Sequence, residues 1–147
     1  MRPELSILFD VFSLGQRVRT LLATAMRDAA LRPDEYAAYS VVFEQGPVTL
    51  TELARTLGLP TTTAADYVRA MLARGHLTKD AHPADSRAYL LALTVTGRRA
   101  HRSASARFDR AYQAFIRELG AQHEAAARAT LQHLAAAADR AASSMAP

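Results

Sequence analysis

The stretch from residue 49 to residue 94, "TLTELARTLGLPTTTAADYVRAMLARGHLTKDAHPADSRAYLLALT", holds two helix signals followed by two strand signals. Thr49 and Glu52 have the spacing of a capping box, which begins a helix that Gly58 can end in the left-handed conformation. A very short turn separates this helix from a second one, predicted over residues 61–74. Two short helices joined by so tight a turn are typical of a helix-turn-helix.

The period of the apolar residues changes to two after Gly75. Residues 76–81 and 87–93 are predicted to form short strands on either side of a turn at Pro83. A β-hairpin that follows directly on a helix-turn-helix is the arrangement of a winged helix. The hairpin would then be the wing.

Amphipathic helices are predicted on both sides of this winged helix. Residues 5–29 repeat apolar side chains at three- and four-residue steps, and a second helix covers about 33–45. After the hairpin, Thr94 or Thr96 begins a long helix that Gly120 breaks, and an alanine-rich helix follows. The predicted fold is therefore mainly α with a small β-hairpin wing.

The predicted helices outside the winged helix have more apolar surface than the winged helix alone can cover. We expect a winged helix-turn-helix domain over residues 31–95, one flanking helix in residues 1–30 and two more in residues 96–147. A second copy of the chain would cover the surplus, so the flanking helices are predicted to form a homodimer. The alternative is that all three fold back within one chain.

Composition sets limits on the class of protein. The 147 residues carry 18 Lys and Arg against 14 Asp and Glu, and the sequence pI is near 10.0, which favours polyanionic partners only weakly. No cysteine is present, so disulfides and thiolate metal sites are excluded. Asp10 interrupts the apolar residues near the start, which we interpret as a helix of a cytoplasmic protein, not as a signal peptide.

The winged region resembles the MarR family of bacterial winged-helix regulators. The likeness rests on residues 50–100, "LTELARTLGLPTTTAADYVRAMLARGHLTKDAHPADSRAYLLALTVTGRRA", with Asp85-x-Arg87 in the wing, "LALT" and Gly97. The run "LRPDEYAAYSVVFEQGPVTLTELA" extends it upstream to residue 31. The resemblance implies a dimer that binds a pseudo-palindromic operator in double-stranded DNA. It also implies a repressor of a nearby gene, released by a small, often aromatic, molecule.

Arg87 is predicted at the tip of the wing. A guanidinium on a rigid hairpin can enter a narrow minor groove or bind a phosphate, and Asp85 can hold the turn and orient that guanidinium. The alternatives are a solvated charge at Arg87 and an ordinary turn former at Asp85. Arg74, Lys79, Arg98 and Arg99 are further candidates for contacts to the DNA backbone, with solubility as the alternative.

Helix 61–74 would read the major groove. Its inward positions are predicted to be Ala64, Tyr67, Val68 and Met71, at helical spacing. The outward face then carries the candidate DNA-contacting residues Thr61, Thr62, Thr63, Ala65, Asp66 and Arg69. Threonine hydroxyls bond phosphates or base edges, although they also cap helix starts.

The chain departs from the family pattern on this face. The place of Thr61 is often basic, Pro60 replaces the usual serine cap, and Asp66 stands where a basic or neutral residue is common. Asp66 would repel phosphates unless it accepts a hydrogen bond from a cytosine amino group or pairs with Arg69 or a wing residue. It is the main reason to keep a protein-interaction module as the alternative function.

Aromatic residues cluster on the first two predicted helices, which the family uses to surround its ligand. The candidate ligand-binding residues are Phe9, Phe12, Tyr36, Tyr39 and Phe43, with plain core packing as the alternative for each. The histidines lack metal-ligand spacing, and no phosphate loop, nucleophile elbow or triad is present. We therefore expect no metal, no cofactor and no enzymatic activity. An accessory or dimerisation domain of an enzyme is a third alternative.

Overall fold

The computed structural model describes residues 6–147, which fall into two compact units that meet in sequence between Asp109 and Arg110. The helices and strands in chain order are α1 (Ile7–Ala25), α2 (Pro33–Gln45), α3 (Leu50–Leu57), α4 (Thr61–Ala73), β1 (Leu77–Ala81), β2 (Tyr89–Leu93), α5 (Val95–Leu119) and α6 (Glu124–Met145). A 3-10 turn at Ala121–His123 precedes α6. The predicted fold class, a winged helix with flanking helices, is confirmed.

The core of the first unit is built around α2. Leu53, Ala38 and Tyr39 are almost fully buried there, and Val68 and Met71 of α4 pack into the same cluster. Each strand contributes from one face only, since Leu77, Leu91 and Leu93 are buried while most of their neighbours are exposed. The winged helix therefore has its own apolar interior.

Local signals set the ends of α3. The Thr49 hydroxyl accepts from the backbone N–H of Glu52 at 3.2 Å, and the Glu52 carboxylate accepts from the backbone N–H of Thr49 at 2.8 Å. Gly58 has φ +67°, and the N–H of Leu59 donates back to the Ala54 carbonyl at 2.9 Å. The predicted capping box and left-handed cap are both present.

Three predicted boundaries were wrong. The first predicted helix starts at residue 5, outside the described residues, and α1 ends at Ala25, not at 29, because the chain turns at buried Met26. The strands begin at Leu77 and Tyr89, not at 76 and 87, because the pairing runs from Leu77 opposite Leu93 to Ala81 opposite Tyr89. Residues 82–88 form the turn of the wing instead.

The start of α5 lies against the start of the wing. The Thr94 hydroxyl accepts from the backbone N–H of Gly97 at 3.0 Å and donates to the carbonyl of Gly75 at 2.8 Å, so Thr94 is the residue that begins the helix. The Thr94 N–H also donates to the His76 carbonyl at 3.0 Å. A Cβ at Gly97 would fall on that same His76 oxygen. Only glycine fits this position.

The second unit, Arg110–Pro147, is described by itself. Its α6 contains no buried residue, and the Tyr112 hydroxyl donates to the Glu124 carboxylate at 3.0 Å. This bond raises the pKa of Tyr112 above its usual value. Within residues 6–147, no helix is both long and apolar enough to cross a membrane.

Substituting Gly97→Ala should lower the free energy of unfolding by about 1–3 kcal/mol, because the new methyl group overlaps a backbone carbonyl that cannot rotate away. Urea denaturation followed by circular dichroism measures the change. Arg98→Ala, at an exposed position one residue later, should change it by less than about 0.5 kcal/mol. Equal stability of Gly97→Ala and the native chain would contradict the close contact.

Candidate nucleic-acid interface

The exposed face of α4 carries the predicted DNA-contacting residues. Ala64, Val68 and Met71 are buried as predicted, while Tyr67 is half-buried. Thr61, Thr62, Asp66 and Arg69 are exposed, and Thr63 and Ala65 are half-buried. The helix therefore turns a mixed threonine and charged surface outward.

Tyr67 has a polar partner at the margin of the core. Its hydroxyl donates to Oδ2 of Asp34 at 2.7 Å, which links α4 to the first turn of α2. Partial burial acts to raise the pKa of Asp34, but this hydrogen bond and the charge of Arg32 outweigh it and hold the pKa below its usual value. The same bond raises the pKa of Tyr67.

A cleft of about 400 Å³, the wing cleft, separates α4 from the wing. Five of the predicted DNA-contacting residues line it: Ala65, Arg69, Lys79, Asp85 and Arg87. Three of the five are cationic, so the cleft combines a concave shape with positive charge. That combination suits a phosphate backbone beside α4.

The tip of the wing is held by short local hydrogen bonds. Oδ1 of Asp85 accepts from the backbone N–H of Arg87 at 3.0 Å, and Nδ1 of His82 accepts from the N–H groups of Ala84 and Asp85 at 3.0 and 3.1 Å. The Arg87 guanidinium lies only loosely near Asp85, with Nε 3.9 Å from Oδ1, and its side chain is 94% exposed. Asp85 thus forms the turn and also lies beside the arginine, as both interpretations required.

Sequence reasoning missed two residues of the wing. His82 accepts two backbone hydrogen bonds, which its place at the end of β1 did not reveal. Tyr89 lies under Lys79, whose Nζ is 4.2 Å from the ring centroid. A tyrosine in the second predicted strand, diagonal to a lysine in the first, is the sequence signal from which this pair could have been predicted.

Asp66 and Arg69 form an ion pair on the exposed face of α4. They are three residues apart, which places both side chains on one side of the helix. Their side chains are 68% and 69% exposed, so the pair lies in solvent. Of the alternatives that the sequence left open for Asp66, the described structure has the pairing with Arg69.

Arg74 lies away from the wing cleft. Its guanidinium donates to both oxygens of the Glu35 carboxylate, at 3.1 and 3.4 Å, and Arg32 approaches the same carboxylate at 3.3 Å. Glu35 is nearly buried, so its charge needs these partners. Arg74 therefore has a structural role that the sequence did not show, and its contact to DNA stays a prediction.

The five predicted ligand-binding aromatics lie in different surroundings. Phe9 and Phe12 are exposed on α1, and Tyr39 is buried with its hydroxyl 2.7 Å from Nδ1 of His76. Tyr36 and Phe43 are partners of the same residue, His101 of α5. Burial of the Tyr39 phenol raises its pKa.

His101 stacks on both of these α2 aromatics. Its ring centroid is 4.9 Å from that of Tyr36 and 4.5 Å from that of Phe43, and its Nε2 lies 3.0 Å from the Ser40 hydroxyl. The Tyr36 hydroxyl in turn is 3.1 Å from Oγ of Ser105. Side chains of α5 therefore supply the polar partners that the sequence could not identify.

In the part of the chain that the structure describes, no group of three or more His, Asp or Glu side chains is arranged to hold a metal ion.

Comparisons with known proteins support this geometry. The profile of the IclR helix-turn-helix domain matches residues 44–81, which cover α3, α4 and β1. A MarR-family transcriptional regulator from a Rhodococcus species is 26% identical, with a TM-score of 0.75, over 90% of this chain and 96% of its own. This chain is therefore similar in sequence and in fold to a MarR-family transcriptional regulator.

Two other solved structures are similar to a comparable degree. The CouR protein of Rhodococcus jostii, solved with p-coumaroyl-CoA, is 28% identical, with a TM-score of 0.77, over 88% of this chain and 92% of its own. The PcaV regulator of Streptomyces coelicolor, solved with its natural ligand, is 25% identical, with a TM-score of 0.74, over 92% and 98%. No curated protein matches the sequence. These structural matches are transcriptional regulators, not enzymes.

The stability of this protein should fall in mild acid. Burial lowers the pKa of His101 below its usual value, while the charges of Glu44 and Asp109 oppose the shift. The unfolded chain therefore takes up this proton first, and the unfolding free energy should decrease as the pH falls through about 6.5. The decrease in the unfolding free energy ends once the pH is below the pKa of His101 in the folded protein. Urea denaturation at a series of pH values between about 5 and 8 measures it.

His101→Phe keeps a ring between Tyr36 and Phe43 but cannot titrate, so its stability should depend less on pH over that range. His133→Gln, at an exposed position on α6, should retain the native pH dependence. If the two variants had the same pH dependence, His101 would not be its source.

Proposed function

We propose that this protein is a homodimeric, cytoplasmic DNA-binding repressor that a small aromatic ligand releases from its operator. The observation that carries the proposal is the wing cleft, where Arg69 on α4 lies in the same lining as the wing residues Lys79 and Arg87. A helix of this exposure fits the major groove, while the arginine at the wing tip suits the adjacent minor groove. CouR, a protein of the same fold, is a repressor solved on a 23-mer DNA duplex.

Unburied apolar side chains support the homodimer. On α1, Ile7, Leu8 and Phe12 are 60%, 75% and 64% exposed, and none of its residues is buried. In the second unit, Phe115 and Leu131 are 42% and 48% exposed. Apolar surface of this extent is unusual for a monomer, and a second copy of the chain would remove it from water.

A second cleft, of about 470 Å³, supports the ligand. This α1 cleft lies between α1 and the winged helix and is lined by Arg19, Leu22, Pro33, Asp34, Ala37, Leu57, Leu59 and Tyr67. Its volume lies in the range of small-molecule sites. The apolar walls and the Arg19 guanidinium suit an aromatic carboxylate, while Asp34, whose carboxylate accepts from the Tyr67 hydroxyl, adds one negative charge to the same lining. We infer that the effector binds here, in a cleft whose lining contains Tyr67 and none of the five predicted ligand-binding aromatic residues.

The alternative function is a protein-interaction module without specific DNA binding. The observation that favours it is the exposed carboxylate of Asp66 on α4, which offsets the charge of Arg69. Binding to the upstream intergenic region of its own gene, with scrambled duplex as competitor, separates the two. Saturable binding that survives the competitor at physiological salt supports the repressor, and its absence supports the interaction module.

Substituting Arg87→Ala should weaken binding to operator and scrambled duplex by a similar factor, since the guanidinium is expected to contact backbone or groove, not one base pattern. The slope of log K against log salt should become smaller by about one, because one phosphate contact is lost. Fluorescence anisotropy at several salt concentrations measures both effects.

Arg140→Ala removes the same charge from an exposed position on α6 and should leave the slope nearly unchanged. A salt slope that Arg87→Ala does not alter would exclude the wing arginine from DNA contact.

Arg19→Gln should make the protein insensitive to its effector while operator affinity stays close to native. With a panel of hydroxylated aromatic carboxylates as probes, the concentration that releases half of the DNA should rise about tenfold or more, because a charge-assisted hydrogen bond is lost. Arg17→Gln, which removes a guanidinium bonded to Ser13 on the same helix, is the matched control. If both variants released half of the DNA at the same effector concentration, the effector would bind at another site.

A further inference from the structure

The ion pair of Asp66 and Arg69 lies on the exposed face of α4. Arg69 lines the wing cleft, together with Lys79 and Arg87. Asp66 lines a smaller cleft of about 260 Å³ that also receives Arg32 and Arg74. The pair therefore contributes one side chain to each of two clefts beside α4.

Folding does not account for this pair. Both side chains are about two-thirds exposed, and a solvent-exposed pair at this spacing adds little to the stability of the fold. For general attraction to phosphates, the carboxylate is unfavourable, because it offsets one of the cations around the wing cleft. An acid that weakens non-specific binding and adds little stability needs a different role on this face.

The major groove offers such a role. An ionised carboxylate only accepts hydrogen bonds, and the donors on base edges there are the amino groups of cytosine and adenine. A guanidinium only donates, and guanine presents two adjacent acceptors, O6 and N7. On adenine the acceptor N7 lies beside the amino group and would repel a carboxylate, whereas the cytosine edge presents only its N4 amino donor.

We propose that Asp66 is a specificity-determining residue that reads the cytosine of a G·C base pair while Arg69, held beside it, reads guanine. This inference rests on the proposed function and deepens it, because it names the base pair that α4 selects. The carboxylate has two effects. It accepts from the cytosine N4 amino group at the operator, and it repels phosphates at every other sequence. Asp66 therefore lowers the affinity for DNA in general and increases the discrimination between base sequences.

The test begins with selection from a pool of random duplexes by the native protein, which yields its preferred sequence. Each cytosine of that sequence is then replaced in turn by 2-pyrimidinone, which lacks the 4-amino group. At one position in each half-site the native protein should lose about tenfold in affinity, the effect of one base-specific contact. Asp66→Ala should lose nothing at that position.

Two further variants sharpen the test. Asp66→Asn should shift the selected base toward adenine, which an amide recognises through N6 and N7. Asp66→Ala should also bind scrambled duplex several-fold more tightly than the native protein. Asp139→Asn makes the same change in charge on α6 and should leave both selection and scrambled binding as in the native protein. Thermal unfolding checks that each variant is folded, which the exposure of both side chains favours.

The outcomes separate this inference from the proposed function. A native protein that selects a sequence, with Asp66→Ala showing the same loss at every pyrimidinone position, would overturn the role of Asp66 and leave the repressor intact. A native protein that selects no sequence would overturn the repressor, and the role of Asp66 with it.

Discussion

The arrangement of the winged helix depends on the residues where α4 ends and the wing begins. There the Thr94 hydroxyl donates to the Gly75 carbonyl, the Thr94 N–H donates to the His76 carbonyl, and the Tyr39 hydroxyl bonds the His76 ring. Gly97 lies directly against the same carbonyl, with no space for a side chain. The end of α4, the wing and the start of α5 therefore meet at one point. Because backbone groups make most of these contacts, the orientation of the wing relative to α4 is set by geometry that few substitutions can relax.

The sequence predicted this architecture well because its signals are local. The capping box at Thr49 and the left-handed Gly58 act over a few residues, so their spacing can be read directly. The extent of the wing strands was harder to predict. Arg87 continues the alternating strand pattern in the sequence. The pairing with β1, however, reaches only as far as Tyr89, and the end of the paired region depends on where β1 ends. A pairing limit of this kind has no local signature.

The candidate site was predictable in part for the same reason. The outward positions of α4 follow from helical period, and Arg69 and Arg87 follow from charge on exposed elements. What the sequence could not show is the partner of each charged or aromatic side chain. Arg74 bonds Glu35, thirty-nine positions earlier, and Tyr36 stacks on His101 across an even longer separation. Such pairs arise from packing between elements, so their identification required the fold.

The hydrogen bonds that close the wing tip have a consequence for the energetics of association. Residues 82–88 take their shape from the Asp85 carboxylate and the His82 ring, both within the turn itself. The main chain that presents Arg87 is thus ordered before any encounter with another molecule. Binding then restricts only the torsions of one long side chain, not those of a loop, and the entropy lost on docking is correspondingly small. A tip of this kind can engage a groove quickly and leave it without refolding.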